Sequence, residues 1–290
     1  MNIAYCIICH RNTPILRTAI QLLSPENAVY LHVDLKSNLE EFKEYQDKVV
    51  FIKQRIDVHW ARFSQVECTL ALLQEIENTA YHYMCLLSGD DLPLQNSDAI
   101  KDFFRKHNGT EFLGIQPDFD SKALTTRLQY LHTELDSKRN KTFWEHCSWS
   151  FKKNFSKRKK NSWFPRLPPL YKGPNWFCLS HDACTFILRY LEKSPWYLEA
   201  FRFSHCGDEV FFHTLLMNSS FKDRLYKHDE LSDDNAKALR YIDWHSGPDY
   251  PKVLTETDLL AITDSNLLFA RKFSKNTNLN VYYEWLKSRS

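Results

Sequence analysis

The first fifty residues constrain the fold more than any other stretch. Residues 3–9, Ile-Ala-Tyr-Cys-Ile-Ile-Cys, form an unbroken apolar run, as in a strand buried on both faces. Thr13-Pro14 opens a helix to about Leu23, with proline in the first turn, where its missing N–H is not needed. Residues 28–33 read as a second strand, ending at Asp34. Ser37 caps a charged helix to about Asp47, and residues 49–52 make a third strand. The order β-α-β-α-β predicts a doubly wound, mostly parallel sheet with helices on both faces. Such sheets bind ligands beyond the C-terminal ends of their strands. His10 and Asp34 both stand there. Each is a candidate ligand contact, and each is also explicable as a loop residue held by local hydrogen bonds.

The pattern continues with a loop at 57–62, a helix over 63–78 and a buried strand at 83–87. That strand runs into Ser88-Gly-Asp-Asp-Leu-Pro93, which sets two acids at a strand end. A helix follows from Asn96 or Ser97 to about His107, then a strand at 111–115. From about 116 to 172 clean periodicity is lost. This excursion holds the basic run Lys152-Lys-Asn-Phe-Ser-Lys-Arg-Lys-Lys160 and then Pro165, Pro168 and Pro169. A strand at 174–180 and a helix at 181–192 restore the order.

Gly207-Asp208-Glu209 then places adjacent carboxylates ahead of Val210, Phe211, Leu215 and Leu216, which have helical spacing. Gly207 or Asp208 is predicted to cap a buried helix with Glu209 in its first turn. There the helix end favours an ionised carboxylate, which suits a general base. The plainer alternative is that Asp208 caps and Glu209 is an ordinary first-turn acid. A short strand at 239–244, a helix capped by Thr255, the stretch 267–273 and a last helix at 281–288 complete the chain.

Composition excludes several classes. A formal charge of +2 over 290 residues does not describe a nucleic-acid binder, so the basic run reads first as a solvated loop. With 43% hydrophobic residues the chain can bury a large core. Its 8 Trp, 14 Tyr and 20 Phe suit both a core and stacking on sugars or bases. No run approaches the ~18 apolar residues of a membrane span. Met1-Asn2 leads directly into the first strand, without the basic front of a signal peptide, so reduced thiols and a cytoplasmic location are expected. Cys6 and Cys9 have C-x-x-C spacing, but strand residues three apart face opposite ways, so no metal is expected there. The phosphate loops G-x-x-x-x-G-K-[ST] and G-x-G-x-x-G are absent, as are H-E-x-x-H and G-x-S-x-G.

The order of several segments resembles the Core 2/I-branching glycosyltransferases, which include β-1,6-N-acetylglucosaminyltransferases and peptide O-xylosyltransferases. The segments are Ile3-Ala-Tyr-Cys-Ile-Ile-Cys-His10, Leu31-His-Val-Asp-Leu-Lys-Ser37, Val58-His-Trp-Ala-Arg-Phe-Ser-Gln-Val66 and Leu86-Leu-Ser-Gly-Asp-Asp-Leu-Pro93. Gly173-Pro-Asn-Trp-Phe-Cys-Leu-Ser180, Gly207-Asp-Glu209, Leu239-Arg-Tyr-Ile-Asp-Trp244 and Phe269-Ala-Arg-Lys-Phe273 follow in family order; residues 116–172 are not covered. The resemblance implies a GT-A-like three-layer α/β/α sandwich around a mostly parallel sheet, as a single glycosyltransferase domain over 1–290. It implies transfer from a UDP-sugar to a hydroxyl of a glycan acceptor, with inversion and without a metal or other cofactor. UDP-GlcNAc is the first donor expected, with UDP-xylose and UDP-glucuronic acid next. Residue by residue, Glu209 would be the base. Ile8, His10, Asp34, Trp60 and Asp91 would contact the nucleotide-sugar, and Arg240 and Lys272 its diphosphate. Arg127 and Trp176 would face the acceptor. Taken alone, Arg240 reads as a surface ion pair and Lys272 as a solvated helix-end residue.

The competing enzyme reading is a metal-dependent GT-A transferase or nucleotidyltransferase using Asp90, Asp91 or Asp118 of Asp118-Phe-Asp120. A binding module without turnover is the other. No nucleic-acid partner is expected. The resemblance is to a bacterial-type, soluble or membrane-peripheral member, expected to lack the anchor and stem of animal relatives, and the basic stretch 152–160 is a candidate for peripheral contact with the inner face of the membrane.

Overall fold

The computed structural model describes all residues except 118, 133–141, 143–158, 227–232, 249, 264 and 290. The predicted strands organise it. β1 (Ile3–Cys9) lies between β2 (Ala28–Val33) and β4 (Tyr83–Ser88), parallel to both, and β2 pairs with the short β3 (Val50–Phe51). β6 (Cys178–Ser180) adds to β4 antiparallel, so the sheet order is β3-β2-β1-β4-β6. A second sheet, β5-β8-β7, joins Leu92–Pro93, Phe269–Arg271 and Arg240–Ile242.

Alternation along β1 separates two cores. Ile3, Tyr5, Ile7 and Cys9 pack with Leu16 and Ile20 of α1 (Pro14–Leu23) and with Ile100 and Phe104 of α3 (Ser97–Lys106). Ala4 and Cys6 pack with Val66 and Leu73 of α2 (Ser64–Ile76) and with Ile187 and Leu188 of a later helix, His181–Lys193. The result is the three-layer, mostly parallel α/β arrangement that the resemblance implied. Cys6 and Cys9 accordingly lie in different layers, as strand periodicity requires.

Local signals explain most boundaries. Thr13 Oγ1 accepts the Leu16 N–H at 3.2 Å, capping α1. Asn96 caps α3 and Ser180 caps His181–Lys193 in the same way. Three expectations change. The predicted helix after Ser37 is a 3-10 helix, Leu39–Tyr45, capped by Asn38, while the Ser37 hydroxyl donates to the His10 carbonyl at 2.8 Å. The predicted strand at 111–115 reduces to two bridges, Glu111 with Leu225 and Phe112 with Cys178. Within the aperiodic stretch, α4 (Ser121–Gln129) forms behind an Asp120 cap. Residues 152–158 of the basic run and Asp118 lie outside the described residues; Lys159 and Lys160 are exposed. Among the described residues no helix is long and apolar enough to cross a membrane.

Candidate active site

The C-terminal ends of β1, β2 and β4 surround a cavity of about 420 Å³. Ile8, His10, Asp34, Trp60 and Trp176 all line it, together with Arg11, Lys36, Asp90 and Arg271. Backbone bonds tie its floor together: Asp34 N–H donates to Cys9 O at 2.8 Å and Gly89 N–H to Ile8 O at 2.9 Å. Gly89 has to be glycine, because a Cβ there would sit 2.9 Å from that of Cys9. The Asp34 carboxylate accepts the Lys36 N–H at 2.9 Å and pairs with Lys36 Nζ at 3.0 Å. Trp60 is 57% exposed and stands on the rim.

Three of the proposed donor contacts sit differently. Asp91 is 1% exposed and does not line the cavity. Its carboxylate accepts the Ser88 N–H at 3.1 Å, the Ser88 hydroxyl, and Arg271 Nε at 3.2 Å. It therefore shapes the Ser88-Gly89-Asp90 turn and orients Arg271.

Arg240 is fully buried. Its guanidinium donates to Leu86 O at 2.8 Å and Ala238 O at 3.0 Å, and lies 4.5 Å over the Phe269 ring. In this conformation it ties the two sheets together and does not reach the cavity, nor is it a surface ion pair. Lys272 is partly buried, absent from the lining, and its carbonyl accepts the Leu254 N–H at 2.8 Å. Arg271, its neighbour, is the cation that reaches the cavity. Its guanidinium is 4.4 Å from the Trp176 ring centre and its side chain is only 17% exposed. Lys272 lies just beyond the end of the strand Phe269–Arg271, and of the pair only Arg271 lines the cavity. The sequence carried the pair but not the choice.

Glu209 does not line this cavity; it sits on a segment bonded to the cavity's rim. Gly207–Glu209 is a 3-10 turn, and the following helix, Phe211–Met217, begins after it. Asp208 makes no cap and Glu209 is not in the helix's first turn, so the helix-end argument does not apply. Cations supply the charge complement instead. Arg127 of α4 donates from Nη1 to Glu209 Oε2 at 2.8 Å, and Lys172 Nζ lies 3.5 Å from the same oxygen.

The 203–209 segment is fastened to the cavity rim. Cys206 N–H donates to Ala61 O at 3.0 Å and His205 N–H to Arg127 O at 3.1 Å, with the Trp60 and His205 rings 6.1 Å apart. Ala61 (φ 60°) and Cys206 (φ 50°) are both left-handed, at a cost of about 1 kcal/mol each. Burial and the neighbouring Glu209 push the Asp208 carboxyl up to about 7, and its Oδ1 has no hydrogen-bond partner. Arg271 and Lys172 are the residues missed by sequence reasoning. Among the described residues no three His, Cys, Asp or Glu side chains are grouped to hold a metal ion.

A family model for the Core-2/I-branching enzymes matches residues 3–265. The chain belongs to the Core-2/I-branching enzyme family. It is therefore a glycosyltransferase, of a kind that generally takes a nucleotide-sugar donor and a glycan acceptor. No curated protein sequence matches this Core-2/I-branching chain. Among solved structures it is similar to mouse xyloside xylosyltransferase 1 in its apo form, at 15% identity and a TM-score of 0.35, over 76% of this chain and 83% of that one. It is also similar to S. aureus TarS, at 12% identity and a TM-score of 0.28, over 38% of this chain and 21% of that one. The chain thus spans about a fifth of the length of TarS.

Proposed function

We propose that this enzyme binds a UDP-sugar in the strand-end cavity and transfers the sugar, with inversion, to a hydroxyl of a glycan acceptor. The observation that carries the reading is a carboxylate, Glu209, gripped by two cations on a segment bonded to the rim of a cavity that gathers His10, Asp34, Trp60, Trp176 and Arg271. Inversion is one in-line displacement. Glu209 takes the proton of the acceptor hydroxyl while that oxygen attacks the anomeric carbon. The bond from this carbon to the diphosphate oxygen breaks, and UDP leaves.

Charge that develops on the leaving diphosphate needs fixed positive groups. Arg271 meets that need, because Asp91 and Trp176 fix its direction and little freedom is lost when an anion binds. Arg11 and Lys36 line the same cavity and Lys272 adjoins it in sequence. In this reading no metal takes part. His10, Asp34 and Ile8 contact the nucleoside, Trp60 flanks it, and Arg127 and Trp176 border the acceptor. UDP-GlcNAc, moved in β-linkage, is the first donor, with UDP-xylose and UDP-glucuronic acid the nearest alternatives.

A thermal-shift screen of UDP and these three UDP-sugars, with and without EDTA, tests the donor site. Binding of a stated Kd raises the midpoint by mass action. The reading expects a rise with UDP that EDTA leaves unchanged. A rise that EDTA abolishes contradicts the metal-free mechanism, and no rise with any of the four compounds contradicts the donor site.

A further inference from the structure

The structure assigns Lys172 a positioning role: with Arg127 it grips one carboxylate oxygen of Glu209, leaving the other to receive the acceptor proton. The inference rests on Glu209 being the base. Both cations approach the same atom, Oε2, at 2.8 Å from Arg127 and 3.5 Å from Lys172. Oε1 carries no hydrogen bond among the described residues. A carboxylate gripped through one oxygen has a defined orientation and keeps a lone pair for proton transfer, which is geometry a general base needs. Arg127 alone makes one contact, about which the carboxylate turns. A second cation on another element removes that freedom.

Lys172 is itself built into place. Its Nζ donates to Gln116 Oε1 at 2.9 Å, and Gln116 N–H donates to the Lys172 carbonyl at 2.8 Å. The next residue locks the backbone: Gly173 N–H donates to the Glu209 carbonyl at 3.0 Å. Gly173 admits no side chain, since a Cβ would stand 1.9 Å from Gly114 O and 2.6 Å from His213 Nε2. Residues 116, 172 and 209 are thereby fastened together by main chain as well as by charge. The Lys172 side chain is 22% exposed, so water weakens the pair only in part. Its ammonium is thus placed by Gln116 independently of Glu209, as preorganisation requires.

During transfer, Oε1 takes the hydroxyl proton as the acceptor oxygen bonds to the anomeric carbon and the carbon–diphosphate bond breaks. The two cations stay on Oε2 and hold the carboxylate in line.

The test compares Lys172→Met, Lys172→Arg, Gln116→Met and Glu209→Gln in the full chain. It follows UDP release from whichever of UDP-GlcNAc, UDP-xylose and UDP-glucuronic acid the parent turns over fastest. UDP binding is measured in parallel. Lys172→Met is expected to lower kcat by roughly ten- to a hundredfold, the scale of a misplaced catalytic group. The donor KM stays near parental, so the loss falls on kcat and not on donor binding. Lys172→Arg recovers most of the rate. Gln116→Met, which keeps the charge but removes its anchor, loses less rate than Lys172→Met. A merely structural lysine would lower UDP binding together with the rate and would not be rescued by arginine; that result overturns the assignment, as does parental kcat in Lys172→Met. Where Lys172→Met fails to fold, Gln116→Met with parental kcat overturns it equally. Failure of the underlying reading looks different: no UDP release by the parent, or near-normal release by Glu209→Gln, removes Glu209 as base whatever Lys172 does.

Discussion

Asp91→Asn separates a residue that touches the donor from one that holds a donor contact in place. The Asp91 side chain is fully buried and its carboxylate receives three donors: the Ser88 N–H, the Ser88 hydroxyl and Arg271 Nε. Asparagine keeps the shape but replaces one oxygen by an NH2 group, so at least one of the three donors meets another donor. The charge that faced Arg271 also disappears. Breaking a buried ion pair on one side costs about 3–5 kcal/mol. Arg271 retains 17% exposure and recovers some hydration, so the lower end, about 3 kcal/mol, applies. For a chain of this length that corresponds to a thermal midpoint lower by about 5 °C. Scanning calorimetry at neutral pH measures it, and UDP affinity falls with it, because Arg271 loses its orientation over Trp176. A midpoint within about 1 °C of parental, with UDP binding intact, would refute the claim that Asp91 works through Arg271.

Two other outcomes follow from the same site. In the proposed donor site, Arg271→Met removes a charge-assisted contact to the diphosphate and is expected to weaken UDP binding roughly ten- to a hundredfold by titration calorimetry, with a lowered thermal midpoint as well, because the buried Asp91 carboxylate loses its cation. Asp208 gives a pH signature. Its carboxyl is raised from 3.8 to about 7 by burial and by Glu209, so between those values the folded protein holds a proton that the unfolded chain has released. Its contribution to stability therefore falls as pH rises across that window. Asp208→Asn should flatten that part of the urea-midpoint profile and exceed the parent in stability at about pH 8; an unchanged slope counts against the buried, raised carboxyl.

The sheet was legible because apolar runs and caps are local signals. Residues 3–9 could pack only as a strand covered on both sides, and Thr13-Pro14 states a helix start in two residues. The strand-end rule then located His10 and Asp34 without further information. What failed depended on tertiary direction. Gly207-Asp208-Glu209 has the composition of a helix start, but the chain uses it as a 3-10 turn and begins the helix at Phe211. Arg240 was expected at the diphosphate by motif match, yet carbonyls of Leu86 and Ala238 hold its guanidinium in the core. Nothing in Leu-Arg-Tyr-Ile-Asp-Trp distinguishes those two fates. Lys172 escaped notice because its partners, Gln116 and Glu209, are far away in sequence and the flanking stretch has no periodicity.

The central claim is that Glu209 is the base of a sugar transfer served by the strand-end cavity. Glu209→Gln keeps the size and hydrogen-bonding reach of the side chain and removes its basicity. Steady-state transfer and UDP binding, measured on the same preparation, test the claim most directly. The account predicts a fall in kcat of about 10²–10⁴-fold, the usual contribution of a positioned general base, with UDP affinity near parental. Transfer at a near-parental rate by Glu209→Gln would contradict it.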